Sequence, residues 1–500
     1  MPSIKKNVAF NYIGRFYVAF AGILVLPLYL KHMGAEAFGL IGFFTLLQSW
    51  MQLLDLGLSP TLGREVASAR GRADQSQSLR GLVRSLETIF LCIATVVGLS
   101  LFMSKGWIAG HWLTINELDA GLVAHCVGLM GLMVGVRWFV SLHRSGINAY
   151  EQQVWINVVD GILTTLRFPG ALLLVILSKG DIVVFFYYQL LLALVELVVI
   201  ARKFYQLLPA VTQPVALFSI PEMTRVLPFA LGIAYTGGIW VLVSQLDKLL
   251  LSKLLSLAEY GYFSLVAVVC SGLLVLSAPV SNAVLPRMTL LLAQGKNDEM
   301  LALYRKATRL VVCMVVPVAL VITFFPRQVV QIWTGDGTAA DWTEPVLPLF
   351  ALGNGLLAIG AFQYYLQYAH GKLRLHVLYN TVSAVISVPM IVYAAHEWGP
   401  VGVGYVWLVF RLLSLLFWTP YVHKVLAPGL HADWLLKDIM LPLLPCAGFL
   451  AAMFWLLQDH FPAGRLDGFL TLAVMTLLAT GIAMLTAFFN DIQGRLRARV

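Results

Sequence analysis

The sequence predicts an all-α polytopic membrane protein of about fourteen transmembrane helices: two six-helix bundles related by a parallel repeat, plus two C-terminal helices. Three observations predict it. Apolar runs of membrane-spanning length fill the chain, the basic residues fall on alternate sides of those runs, and the first half resembles the second at a spacing of about 223 residues. Composition sets the frame: 59% of the 500 residues are hydrophobic, 12% are charged, and the mean hydropathy is +0.83. A water-facing surface of ordinary size does not tolerate those proportions, so a bilayer is the solvent.

A hydrocarbon core about 30 Å thick needs roughly 20 residues of helix at 1.5 Å each. On that rule spans are expected near 8–31, 37–60, 81–103, 119–142, 154–177, 182–201 and 226–246, then 259–281, 307–330, 345–368, 377–395, 401–420, 439–457 and 466–488. The first follows Lys5 and Lys6, which place the N-terminus in the cytoplasm, where most of the other basic residues then also fall. An even number of spans returns Arg495, Arg497 and Arg499 to that side. The excess positive charge is therefore topological, and nucleic acid is not expected as a partner. Ala35-Glu36-Ala37 has the form of a signal-peptidase site, but the apolar stretch before it is longer than a leader needs, and the repeat requires this helix.

The repeat is carried by charged loops. Ala35-Glu36-Ala37-Phe38-Gly39 corresponds to Ala258-Glu259-Tyr260-Gly261, Arg64 to Arg287, and Gly71-Arg72-Ala73-Asp74 to Gly295-Lys296-Asn297-Asp298. Both copies begin on the cytoplasmic side, so the repeat is parallel, with residues 1–203 and 204–424 as the two bundles and 425–500 holding helices 13 and 14. Transporters of that design place substrate between the halves and rock one against the other.

Several classes are excluded. No loop has room for a folded catalytic or nucleotide-binding domain. Gly295-Lys296 and Gly371-Lys372 lack the spacing of a phosphate-binding loop, and the ten histidines contain no HExxH. Cys92, Cys126, Cys270, Cys313 and Cys446 lie in apolar spans as small packing residues. Neither a cofactor, a metal site nor enzymatic activity is expected.

An ionisable group at mid-membrane costs about 2.5–3.5 kcal/mol on insertion scales, so each needs a partner, water or a short route out. Span 1 contributes Asn11 and Arg15. Span 2 aligns Gln48, Gln52, Asp55 and Ser59 on one face. Span 5 aligns Asn157, Asp160, Thr164 and Arg167, followed by the helix-kinking Phe168-Pro169-Gly170. Asp160 and Arg167 stand about 10.5 Å apart along the axis, so another group must face Arg167. Arg137 and Glu196 are also intramembrane but near enough to the cytoplasmic edge to snorkel. In the second half, span 7 ends in Asp247-Lys248 and span 10 carries Gln363 and Gln367 beside Tyr364, Tyr368 and His370. Span 11 holds Asn380, Ser383 and Ser387, and span 12 holds Arg411. Arg15, Arg167, Arg411, Asn157, Gln363 and Gln367 are the candidate substrate contacts. Asp55, Asp160, Asp247 and Lys248 are the candidate coupling or gating groups. Deep arginines make a cationic cavity whose guanidinium forks match phosphate oxygens, which points to a lipid diphosphate.

The ordered series Asp55-Leu56-Gly57-Leu58, Gln153-Val154-Trp155-Ile156-Asn157, Gln245-Leu246-Asp247-Lys248, Leu366-Gln367-Tyr368-Ala369-His370-Gly371 and Gly402-Val403-Gly404-Tyr405-Val406-Trp407 resembles the polysaccharide flippases. These are the O-antigen and capsule repeat-unit translocases of the multidrug/oligosaccharidyl-lipid/polysaccharide exporter superfamily. The resemblance covers nearly the whole chain. It implies a bacterial inner-membrane protein that moves an undecaprenyl-diphosphate-linked oligosaccharide from the cytoplasmic to the periplasmic leaflet. A proton or sodium ion is implied as coupling ion, and a polymerase of the same pathway as neighbour. Arg411 stands where a neutral polar residue is expected. The competing readings are an ion-coupled multidrug exporter of the same superfamily and a membrane-embedded glycosyltransferase, ligase or polymerase.

Overall fold

The computed structural model describes the backbone of residues 4–70, 76–211 and 214–497, and among these the side chains from 17 to 489 except residue 19. Asn11, Arg15, the 71–74 copy of the repeat loop and the C-terminal arginines therefore lie outside the described side chains. Regular structure among the described residues is helical apart from one isolated bridge between Thr114 and Ser256.

Twelve helices among the described residues are long and apolar enough to cross a membrane. One of them, Leu373–Leu426, has 54 residues and would measure about 80 Å as a continuous rod, more than twice the hydrocarbon thickness. It is interrupted at Gly399, whose φ of 58° only glycine adopts readily, just before Pro400. The described apolar part of the first helix, Phe20–Met33, is shorter than a full span.

By contacts the chain divides into two compact units, Met1–Gly261 and Tyr262–Val500. The first contains α1 (Ile4–Met33), α2 (Ala35–Leu54), α3 (Leu58–Ala69), α4 (Ser76–Trp107), α5 (Ala120–Ala149), α6 (Gln153–Thr165), α7 (Ala171–Leu177), α8 (Ile182–Leu207) and α9 (Ile220–Leu254). It also contains the start of α10 (Leu257–Ala293). Helix α5 is the hub, packed against α3, α4 and α8, while α1 packs on α6. Leu62, Leu82, Leu86, Leu142, Ile200 and Phe204 are buried together, and Phe90 stacks on Trp138 at 4.3 Å. Helix α9, which the repeat assigns to the second bundle, packs along α2, α3 and α4. That is why the contact boundary falls after it, whereas the repeat boundary falls before it.

Span 2 was expected as one helix through residue 60, yet α2 ends at Leu54. Leu56 and Gly57 turn the chain with φ of 49° and 69° before α3 begins. Asp55 stabilises the restart, accepting from the Ser59 amide at 3.3 Å and from its hydroxyl. At the other end of α2, Glu36 is 3% exposed and accepts three amides of the α4–α5 loop: Asn116 at 2.7 Å, Glu117 at 3.0 Å and Leu118 at 2.8 Å. The same loop joins the α9–α10 turn through Leu257 N–H to the Thr114 carbonyl at 2.8 Å and Trp112 Nε1 to Ser252 Oγ at 3.1 Å. Gly39 allows the approach, since a Cβ there would sit 1.9 Å from the Leu257 carbonyl oxygen.

The second unit holds most of α10, then α11 (Asn297–Phe324), α12 (Pro326–Thr334), α13 (Gly337–Thr343), α14 (Leu347–Ala369), α15 (Leu373–Leu413), α16 (Thr419–Leu426), α17 (Leu430–Asp433), α18 (Leu441–Leu457) and α19 (Arg465–Arg497). Helix α11 is packed against α14, α18 and α19 around Cys313, Phe325, Cys446, Leu450, Ala479 and Ala483. The expected span 9 ran to residue 330, but α11 stops at Phe324 and Pro326 opens a separate short helix. Proline has no N–H to continue a helix and is pre-set for the first helical position.

Candidate functional site

In the first unit, polar residues from α5, the α6–α7 rod and α8 meet in two layers. Each element carries a pair seven residues apart, about 10.5 Å along the axis: Arg137 and Arg144, Asp160 and Arg167, Gln189 and Glu196. Helices α5 and α8 run antiparallel to α6, so Arg144, Asp160 and Glu196 form one layer while Arg137, Arg167 and Gln189 form the other.

In the first of these layers, Arg144 donates from Nη1 to Asp160 Oδ1 and from Nη2 to Glu196 Oε1, both at 2.6 Å. The second oxygen of Glu196 receives Arg167 Nη2, which joins the layers. Glu196 is thus the group that must face Arg167, and at 4% exposure it is buried rather than snorkelling. Arg137 donates to Gln48 Oε1 at 2.9 Å and to Gln189 Oε1 at 3.0 Å, and lies 5.1 Å from the Phe44 ring centroid. The Nε atoms of Arg137 and Arg167 have no hydrogen-bond partner.

Local chemistry positions Arg167. Pro169 cannot donate, and the helix widens into a π-helical segment over Leu166–Gly170. Neighbouring side chains add hydrogen bonds to the carbonyls of this segment, of which Leu166 O and Phe168 O also accept the Ala171 N–H. Tyr29 donates to Arg167 O at 3.1 Å and Phe168 O at 2.9 Å, Gln189 Nε2 to Arg167 O at 2.9 Å, and Tyr188 to Leu166 O at 3.2 Å. In a bilayer such carbonyls have no water to turn to, so these three side chains help to satisfy the segment.

Two cavities adjoin the network. One, of about 320 Å³, is lined by Arg137, Arg144, Asp160, Thr164, Arg167 and Glu196. The other, of about 610 Å³, lies between α2, α3, α5 and α9 and is lined by Gln48, Gln52, Asp55, Ser59, Arg137 and Trp240 among others. Arg137 lines both. The span 2 stripe therefore faces a cavity, and the span 5 stripe faces an ion-pair network beside one. Asn157 is half-buried one turn before Asp160 on the same face of α6. Asp247 and Lys248 sit apart from this cluster, 3.5 Å from one another, with Lys248 also donating to Ser244 O at 2.7 Å. Arg15 lies outside the described side chains.

The second unit has its own polar clusters. Gln363 and Gln367 are buried and hydrogen-bonded to each other, and Trp418 Nε1 donates to Gln363 Oε1 at 3.2 Å. Trp418 stacks on Tyr379 at 5.0 Å. On the same rod the Arg411 guanidinium lies 4.2 Å from the Trp407 ring centroid. Beside this aromatic plate runs an apolar groove of about 600 Å³ between the two arms of the Leu373–Leu426 rod. Further along, Asp438, 1% exposed, holds Arg305 at 2.7 Å and Arg309 at 3.5 Å. This pairing ties α11 to the π-helical segment Trp434–Met440 that leads into α18, and it was not anticipated.

Arg144 and Gln189 were also missed. Arg144 fell beyond the expected end of span 4 at residue 142, whereas α5 runs to Ala149. The recurrence of polar pairs seven apart on three successive spans is the signal that finds all six residues.

Comparison with known proteins agrees with this architecture. The family model described as "Polysaccharide biosynthesis protein" matches residues 4–292. A putative O-antigen transporter of Shigella flexneri is 19% identical over 429 residues, covering 83% of this chain and 96% of that protein. Among solved structures, the lipid II flippase MurJ in an inward closed conformation superposes with a TM-score of 0.75 at 13% identity, covering 97% of this chain and all of the other. An inward-facing multidrug resistance transporter of the MATE family gives 0.63 at 13% identity, over 84% of this chain and 99% of that one. The family match covers more than half of the residues, and the half-buried arginine network sits inside a fold shared with membrane transporters. The chain therefore belongs to the polysaccharide biosynthesis protein family, and its fold is the one seen in the lipid II flippase and the multidrug transporter on which it superposes.

Proposed function

We propose that this protein flips an undecaprenyl-diphosphate-linked oligosaccharide from the cytoplasmic to the periplasmic leaflet of the bacterial inner membrane, by alternating access of its two repeat-related bundles and without covalent chemistry. The observation that carries the reading is the meeting of Arg137, Arg144 and Arg167 at one cavity inside a membrane bundle. Three guanidinium groups against the two carboxylates of Asp160 and Glu196 leave one positive charge in excess, and a cationic membrane cavity suits a diphosphate. The larger cavity offers Gln48, Gln52, Ser59 and Trp240, amides, a hydroxyl and an indole of the kind that bind sugars. Arg411, Gln363 and Gln367 are the candidate substrate contacts of the second unit, and Arg15 and Asn157 are further candidates of the first. Asp55, Asp160, Asp247 and Lys248 are the candidates for ion coupling or gating.

Likeness in fold to a multidrug transporter supports the second reading, export of cationic drugs. A cationic drug needs an unengaged carboxylate. Here Asp160 and Glu196 are already held by arginines, and Asp55 caps α3 through Ser59. The deciding experiment is deletion of the gene in its own host, with mass spectrometry of surface polysaccharide and of lipid-linked intermediates. Loss of surface glycan with accumulation of a lipid-linked repeat unit is the expected result. Normal glycan together with strong sensitisation in a drug panel would replace this reading with the second.

A further inference from the structure

Glu196 occupies the position that an anionic ligand of this site would take. Its two oxygens are divided between two arginines: Oε1 accepts Arg144 Nη2 at 2.6 Å, and Oε2 accepts Arg167 Nη2. A phosphate presents the same pair of acceptor oxygens with more charge, so the carboxylate and a phosphate compete for one seat. The groups facing Glu196 from the packed elements are Arg137 and Arg144 on α5, and Asp160 and Arg167 on the α6–α7 rod, with Gln189 two turns away on its own helix. Of these, Asp160 is bound separately, to Arg144 Nη1 at 2.6 Å, and is about a third exposed, so it keeps a partner and some solvent when Glu196 moves. Glu196 has neither alternative. Displaced from both guanidinium groups inside a membrane bundle, an ionised carboxylate would stand unpaired in a low-dielectric site, which is resolved by binding a proton.

We infer that Glu196 is an internal stand-in for the ligand's phosphate and a proton-binding site: a diphosphate displaces it from Arg144 and Arg167, and the freed carboxylate takes up one proton from cavity water. No bond of the diphosphate is made or broken. The proton goes to a Glu196 oxygen, so binding of the anion and of the proton are linked. This rests on the reading of the arginines as the diphosphate's seat.

The test uses the purified full-length protein in detergent with farnesyl diphosphate as probe. Isothermal titration calorimetry in buffers of different ionisation enthalpy reads both the affinity and the protons taken up. The wild type is expected to bind with uptake of about one proton and to bind more tightly as pH falls. Glu196→Gln, isosteric but unable to compete or to accept a proton, is expected to bind at least about tenfold more tightly, which corresponds to about 1.4 kcal/mol, with no proton uptake in titrations above about pH 7.5, where the probe's own phosphate, with a last pKa of about 6, is ionised. Glu196→Asp should retain the uptake, which excludes a general packing effect. Proton uptake that persists in Glu196→Gln, or affinity that falls in it, overturns the inference while leaving the substrate reading intact if Arg144→Ala and Arg167→Ala abolish binding. Binding that survives both arginine variants, or is absent from the wild type, overturns the reading and the inference together.

Discussion

Arg167 shows what a sequence tells about a single residue and what it withholds. Its depth, its helical face and its need for a partner more than one turn away follow from spacing alone, but the identity of that partner does not, because Glu196 lies on another helix whose rotation periodicity leaves open. Gln48, Gln52, Asp55 and Ser59 were legible as one stripe and do line one cavity, although the chain breaks after Leu54 and Ser59 belongs to α3. Arg144 was hidden by a hydropathy boundary. Such a boundary marks where residues stop being apolar, not where a helix ends. Removing one partner of a buried pair leaves the other charge uncompensated at about 3–5 kcal/mol. Arg167→Ala should therefore lower transport of lipid-linked glycan more than tenfold, measured as surface polysaccharide restored to a deletion strain. Arg167→Lys should recover only part, because an ammonium lacks the guanidinium fork. Arg411→Ala should also reduce restoration with expression intact, and full restoration by either alanine variant would remove that arginine from the site.

At the scale of the element, the α6–α7 rod depends on side chains that belong to other helices. Pro169 was recognised as a kink from sequence, but the form of the kink, a π-helical segment with its carbonyls served by Tyr29, Tyr188 and Gln189, was not, because those donors are 22 to 139 residues away along the chain. Tyr29→Phe removes one hydroxyl that serves two buried carbonyls. Both carbonyls keep another donor, Gln189 Nε2 for Arg167 O and the Ala171 N–H for Phe168 O, so the loss is that of ordinary hydrogen bonds at about 0.5–1.5 kcal/mol each, and this variant should unfold a few degrees lower than the wild type in a thermal scan monitored by fluorescent size exclusion. Tyr188→Phe, with one weaker bond at 3.2 Å, should shift less. Equal stability of Tyr29→Phe and the wild type would mean that the segment repacks without these donors.

For the whole molecule, hydropathy and charge placed nearly every apolar helix. They could not reveal that α9 packs with the first unit, because contacts between elements leave no periodic trace in a single sequence. They also could not resolve the break at Leu56-Gly57. Fourteen passes require the 54-residue rod to cross twice and α1 to cross once. Single cysteines introduced at Glu344 and Lys105 are therefore expected to react with a membrane-impermeant maleimide in intact spheroplasts, and ones at Lys296 and Glu151 only after lysis; labelling of the second pair in intact cells would overturn the topology. The Glu36 contact carries a consequence of a different kind. One carboxylate holds the three amides of the α4–α5 loop, so their release is all or none, and that loop in turn clasps the α9–α10 turn. The link between these two turns thus depends on one acidic side chain, so Glu36→Ala removes all three bonds in a single substitution.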